Sequence, residues 1–81
     1  MLHYSVLLSE TIDNLNLVED GIYVDATLGY AGESKRILKN IKKGFLFAFD
    51  SDKDAIRYSE QELKKIGSNF KIFHSNFELI L

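Results

Sequence analysis

Apolar residues along this chain of 81 residues fall into short runs that alternate between extended and helical spacing. Runs rich in β-branched and aromatic residues, bounded by glycine, asparagine or aspartate, predict strands at 22–26, 45–49 and 70–74. Between them, 33–41 and 52–65 carry apolar residues three and four positions apart, which predicts amphipathic helices. Strands alternating with helices of this length indicate an α/β fold with a parallel sheet built from right-handed β-α-β units.

The two ends of the chain carry less regular patterns. Apolar residues at 6, 7, 8, 12 and 15 have helical spacing, so we expect a helix over 6–15, while 75–81 begins a further element. The longest apolar run, 45–49, is typical of a strand buried on both faces. It is far shorter than the roughly 20 residues that a membrane-spanning helix needs.

The length and composition of the chain indicate a single small domain, and its net charge is −2. The absence of cysteine removes disulfides and thiolate metal sites, and is typical of a reducing compartment. The first ten residues lack the basic and apolar regions of a secretory signal, so we expect a cytoplasmic protein without a membrane segment. Domains that bind nucleic acid alone are usually basic, which argues against a self-sufficient RNA-binding module.

The clearest chemical signal comes from two strand ends. Small residues fill the loop 27–32, where Gly29 and Gly32 would let a ligand approach the backbone and the next helix would offer free N–H groups. Asp50 ends the following strand, 21 residues after Gly29, where an acidic side chain can accept the hydroxyls of a ribose. The alternative is that the glycines only form a tight turn and that Asp50 only caps a helix.

The order of residues in this loop indicates which nucleoside it suits. The G-x-G-x-x-G pattern of dinucleotide folds is absent, which disfavours a dehydrogenase-like protein. The stretch 25–32 (D-A-T-L-G-Y-A-G) instead looks like a degenerate D-x-G-x-G-x-G pattern. That pattern is the usual first motif of S-adenosylmethionine-dependent methyltransferases.

Longer stretches extend this likeness. The segments 3–10 (H-Y-S-V-L-L-S-E), 23–29 (Y-V-D-A-T-L-G) and 50–52 (D-S-D), together with Asn76 and Phe77, resemble the N-terminal third of one family. It is the small-subunit (16S) ribosomal RNA cytosine-N4 methyltransferase family of the RsmH/MraW type. The resemblance covers essentially the whole chain, and it is specific because its opening and loop motifs are not general methyltransferase features.

The resemblance implies a partial Rossmann-like S-adenosylmethionine methyltransferase fold, with three parallel strands in the order 3-2-1 and flanking helices. Residues 1–81 would be the N-terminal part of a methyltransferase domain, without the catalytic loop or the substrate-recognition domain. We therefore expect the cofactor-binding portion of an enzyme that methylates cytosine N4 in small-subunit rRNA, inactive alone, with no catalytic residue and no metal. The alternative is a non-enzymatic remnant or assembly module that has lost cofactor binding.

Transferred position by position, the resemblance implies that S-adenosyl-L-methionine binds through the family's G-G-H loop, a ribose-binding aspartate and an aromatic residue beside the adenine. The implied cofactor-binding residues are Gly29, Ala31, Gly32, Glu33, Asp50 and Phe77. Ala31 replaces a glycine and Glu33 a histidine of the family's loop, and Ser5 replaces a proline. We expect Ala31 to add a methyl group where the cofactor approaches, and Glu33 to add negative charge near the methionine carboxylate.

Several other residues admit two interpretations. His3 either contacts ligand or is solvated, and His74 is interpreted as structural. Tyr30 and Tyr58 are interpreted as packing or surface residues. A basic cluster is interpreted as a solvated helix face, with RNA contact as the alternative; its members are Lys35, Arg36, Lys39, Lys42 and Lys43.

The predicted sheet would leave strand 22–26 as an open edge. Unpaired backbone groups along such an edge invite pairing with another chain. We therefore expect a homo-oligomer, in the simplest form a symmetric dimer joined through that edge or by exchange of the segment after Asn76.

Overall fold

The computed structural model describes residues 4–7, 17–26 and 28–75. Its elements in chain order are β1 (Tyr4–Leu7), β2 (Ile22–Asp25), α1 (Gly32–Asn40), β3 (Phe45–Asp50), α2 (Lys53–Lys64) and β4 (Phe70–His74). The four strands form one parallel sheet in the order β1-β2-β3-β4. The predicted α/β class, with parallel strands and flanking helices, is confirmed, but the sheet has four strands rather than the three predicted, because residues 4–7 pair with β2.

The first strand corrects the prediction for the N-terminal region. Val6 and Leu7 belong to β1 rather than to a helix, and the rest of the predicted helix, 8–15, lies outside the described residues. β1 pairs with β2 so that Val6 lies opposite Val24. The segment forms a strand despite its helical spacing, because the edge of β2 presents backbone donors and acceptors that require partners.

This pairing removes the premise for a dimer through the edge of strand 22–26. That edge is not open, because all four residues of β2 have partners in β1. The expectation of an interface through unpaired groups of this strand is therefore wrong. The alternative exchange after Asn76 falls on residues outside the described part of the chain.

Both helices pack on one face of the sheet. Leu46 and Ala48 alternate with their neighbours along β3, so they point to the same face, and both are fully buried. They join one hydrophobic cluster with Ile37 and Leu38 of α1 and Leu63 of α2. Burying a Leu or Ile side chain contributes about 1.5–3 kcal/mol, so this cluster holds the helices against the strands.

The other face of the sheet explains the uninterrupted apolar run in β3. Phe45 and Phe47 lie with ring centroids 4.8 Å apart on that face. Phe49 stacks on Phe73, its register partner in β4, with centroids 4.8 Å apart and an interplanar angle of 14°. Hydrophobic residues at consecutive positions therefore lie on opposite faces of the same strand, and both faces are packed.

Among the described helices, none is long and apolar enough to cross a membrane.

Candidate functional site

The carboxyl ends of β2 and β3 bring the predicted loop and the predicted acidic residue together. Parallel pairing places Asp25 opposite Ala48, so both strands end at the same edge of the sheet. The N–H of Gly29 donates to Oδ2 of Asp50 at 2.8 Å. The two residues that the sequence places at neighbouring strand ends are therefore in direct contact.

Asp50 is held by two backbone donors. Besides the bond from Gly29, its Oδ1 accepts the N–H of Asp52 at 2.8 Å. Asp52, not Asp50, is the N-cap of α2, because its side chain accepts the N–H groups of Asp54 and Ala55. A carboxylate offers about four lone-pair sites, so the half-buried Asp50 is oriented while keeping acceptor capacity for a ligand.

Two residues of the loop adopt the left-handed backbone conformation. Gly29 has φ 54° and Ala31 has φ 71°. Glycine adopts this conformation without penalty, whereas it costs alanine about 1–2 kcal/mol. The backbone geometry thus favours a glycine at position 31.

The side chain of Ala31 points away from the candidate site. It is fully buried and belongs to the hydrophobic cluster beneath the sheet. Its methyl group packs in the core, and a role of Ala31 in cofactor binding stays a prediction. A contact from Ala31 to a ligand would have to come from its backbone.

Helix α1 begins at this edge and presents its N-terminus to the site. Its first backbone bond runs from Lys35 N–H to Ala31 C=O at 2.8 Å, so the N–H groups of 32–34 precede the helical ladder. A Cβ built on Gly29 or Gly32 meets no atom within 4 Å, which leaves open space beside both residues. Glu33 lies in this first turn, where its charge suits the helix dipole but opposes an anionic ligand.

Two buried serines that sequence reasoning missed hold the loop in place. The Ser34 hydroxyl donates to Oδ2 of Asp25 at 2.6 Å, and both side chains are fully buried. The hydroxyl of Ser59, also fully buried, donates to the carbonyl of Gly29 at 3.1 Å. The burial of Ser59 could have been inferred from the sequence, because this serine lies four residues from both Ala55 and Leu63 and so shares their apolar helix face.

The remaining predicted residues do not join this cluster through described contacts. Phe77 and His3 lie outside the described residues. His74 ends β4 and its Nε2 lies 3.0 Å from the carbonyl of Ser51, which supports the structural interpretation. A groove of about 720 Å³ lies elsewhere, along α2 and the first residues of β3 and β4, and its lining includes neither Gly29 nor Asp50.

Residues 1–81 match the MraW methylase family. The protein named ribosomal RNA small subunit methyltransferase H is 49% identical over 78 residues in Mycoplasma mobile, covering 96% of this chain and 26% of that protein. The protein of the same name in Clostridioides difficile is 51% identical over 79 residues, covering 96% and 25%. The chain thus spans about a quarter of the length of these relatives.

Solved structures agree on the fold. An rRNA methylase from Streptococcus thermophilus has a TM-score of 0.71 at 24% identity, covering 88% of this chain and 42% of that one. A putative rRNA-methylase from Clostridium thermocellum has a TM-score of 0.70 at 18% identity, covering 90% and 44%. At these identities the likeness shows the fold alone. The family resemblance inferred from the motifs is confirmed by the match over every residue: the chain belongs to the MraW methylase family.

Proposed function

We propose that this chain is the N-terminal, cofactor-binding portion of an S-adenosylmethionine-dependent methyltransferase that acts on cytosine N4 of small-subunit rRNA. The contact between Gly29 and Asp50, at 2.8 Å across two adjacent strand ends, carries the proposal. It places an oriented carboxylate beside a loop with open space over its glycines. The names of the relatives support the reaction class and the RNA substrate.

The residues at this edge fit the two polar parts of the cofactor. Asp50 would accept the ribose hydroxyls with the lone pairs that Gly29 and Asp52 leave available. The N–H groups of 32–34 would bind the methionine carboxylate, because a helix N-terminus favours an anion. The cofactor would supply the electrophilic methyl group. The place of Phe77 beside the adenine stays a prediction.

Glu33 is the residue that opposes binding in this arrangement. Its carboxylate lies in the first turn of α1, where the cofactor's own carboxylate would bind. Repulsion between the two charges weakens affinity without blocking the site sterically, since Gly32 beside it borders open space. We therefore expect measurable but reduced binding.

Calorimetric titration with S-adenosylmethionine and S-adenosylhomocysteine tests the proposal. Asp50→Ala should weaken binding by about 1–3 kcal/mol, the usual cost of removing one partner of a buried hydrogen bond. Asp54→Ala is the matched control, because Asp54 is an exposed carboxylate four residues away and should leave affinity unchanged. An unaltered affinity in Asp50→Ala would remove Asp50 from the site.

Titration also separates the proposal from its alternative. If the unmodified chain takes up neither compound, the non-enzymatic remnant or assembly module becomes the better account. We further expect no transfer of radiolabelled methyl groups to small-subunit rRNA by the 81-residue chain, because it spans only a quarter of its relatives. Observed transfer would show that the chain is catalytically sufficient.

A further inference from the structure

Two tyrosines lie exposed beside the cofactor loop. Tyr30 directly follows Gly29 and is 62% exposed, while Tyr58 precedes Ser59 on α2 and is 44% exposed. Their rings meet edge to face, with centroids 5.6 Å apart. Aromatic side chains contribute most when buried, so a pair left in solvent offers ring surface to a partner.

Positive charge adjoins this pair. Nζ of Lys35 lies 5.9 Å from the centre of the Tyr58 ring and also pairs with Glu62 at 2.8 Å. Along α1 and the turn after it, residues 32–43 hold five cations and a single carboxylate, Glu33, a net charge of +4 in a chain of net charge −2. Four of the cations are exposed: Arg36, Lys39, Lys42 and Lys43.

We propose that this tyrosine–lysine surface, formed by Tyr30, Tyr58 and the lysines at 35, 39, 42 and 43, binds single-stranded RNA. The inference rests on the proposed function and extends it by naming where the substrate strand lies. The lysines would neutralise phosphates along α1, and a base would stack on the ring of Tyr30.

The chemistry of the surface favours an unpaired nucleic acid over other polyanions. An acidic peptide would use the lysines but not the exposed ring faces. In a duplex the bases are stacked on each other and unavailable to tyrosine. Screening confines surface electrostatics to about 8 Å at physiological salt, so local charge counts for more than the chain's net charge. Because Tyr30 adjoins Gly29, a strand bound here would reach the cofactor loop.

The test is fluorescence anisotropy with a labelled single-stranded RNA of about 12 nucleotides, a length within known single-strand site sizes, over a series of salt concentrations. In single strands the logarithm of the binding constant falls by about 0.7 per neutralised phosphate for each unit of log salt. Lys39→Glu with Lys43→Glu should weaken binding about tenfold and flatten that slope. Lys64→Glu with Lys71→Glu, the same charge change at two lysines that line the groove along α2 and β4, should change affinity less than about twofold.

Aromatic substitutions separate stacking from charge. Tyr30→Ala should weaken binding about fivefold or more, whereas Tyr30→Phe should retain it. Equal losses in both lysine double variants would overturn the proposal, as would an unaffected Tyr30→Ala variant. Equal affinity for duplex RNA, or equal competition by polyglutamate, would also overturn it.

The same variants titrated with S-adenosylhomocysteine keep the two proposals apart. Normal affinity for this compound with loss of RNA binding supports the surface. RNA binding in the expected pattern without any uptake of the compound would refute the proposed cofactor site and leave the surface standing.

Discussion

The hydrogen bond between Ser34 and Asp25 joins the end of β2 to the first turn of α1, and its removal should be costly. The two oxygens lie 2.6 Å apart, within the range of a hydroxyl bonded to a carboxylate, and both side chains are fully buried. Hydrogen bonds to charged groups contribute about 1.5–3 kcal/mol. We therefore expect Ser34→Ala to lower the free energy of unfolding by about 2–3 kcal/mol.

Two other serines provide matched comparisons. Ser59 is equally buried, but its acceptor is the neutral carbonyl of Gly29 at 3.1 Å, so Ser59→Ala should cost about 1 kcal/mol. Ser68 is exposed, and Ser68→Ala should change stability by less than about 0.5 kcal/mol. The order of destabilisation, Ser34 above Ser59 above Ser68, is thus set by the acceptor and by burial.

Urea unfolding followed by far-ultraviolet circular dichroism measures all three variants. A domain of this length has a stability of about 4–12 kcal/mol, so the effect of Ser34→Ala should be plain in the midpoint. A double-mutant cycle with Asp25→Asn should show coupling above about 1 kcal/mol, because the residues are direct partners. If Ser34→Ala falls within about 0.5 kcal/mol of Ser68→Ala, the assigned role of this bond is wrong.

Three further outcomes can be checked. Glu33→Gln should tighten cofactor binding by about 0.3–1 kcal/mol in calorimetry, and no change would place the cofactor's carboxylate away from α1. The hydrogen bond from Lys35, with a second from Lys65, lowers the pKa of Glu62 from 4.5 to about 2. The stability that this contact contributes is therefore present above pH 4.5 and is lost as the pH falls towards 2. Glu62→Gln should remove this loss of stability from the acid-unfolding profile, and an unaltered profile would contradict the assigned role of Glu62. Gly44→Ala should destabilise by about 1–3 kcal/mol in thermal unfolding, because its Cβ would lie 2.0 Å from the Gly21 carbonyl, whereas Gly32→Ala meets no atom and should be tolerated.

Much of this architecture was predictable from local patterns. The strands at β2, β3 and β4 and both helices match the predicted elements within one or two residues, because each carries a full apolar face bounded by polar or glycine positions. The meeting of Gly29 with Asp50 was also predictable. Parallel strands end at one edge, so residues that follow adjacent strands are brought together by topology alone.

The pairing of β1, the burial of Ala31 and the two serine contacts were not predictable in the same way. Four residues at 4–7 carry no distinctive period, and they form a strand because β2 offers them partners in register. Ala31 has a left-handed φ, and its methyl group lies in the hydrophobic cluster between the sheet and the helices; the sequence alone does not reveal either feature. Ser34 and Ser59 acquire their roles from acceptors 9 and 30 residues away, which become neighbours only when the helices pack against the strands. Local periodicity reports which face of an element is apolar, but hydrogen bonds between distant residues depend on how those faces are brought together.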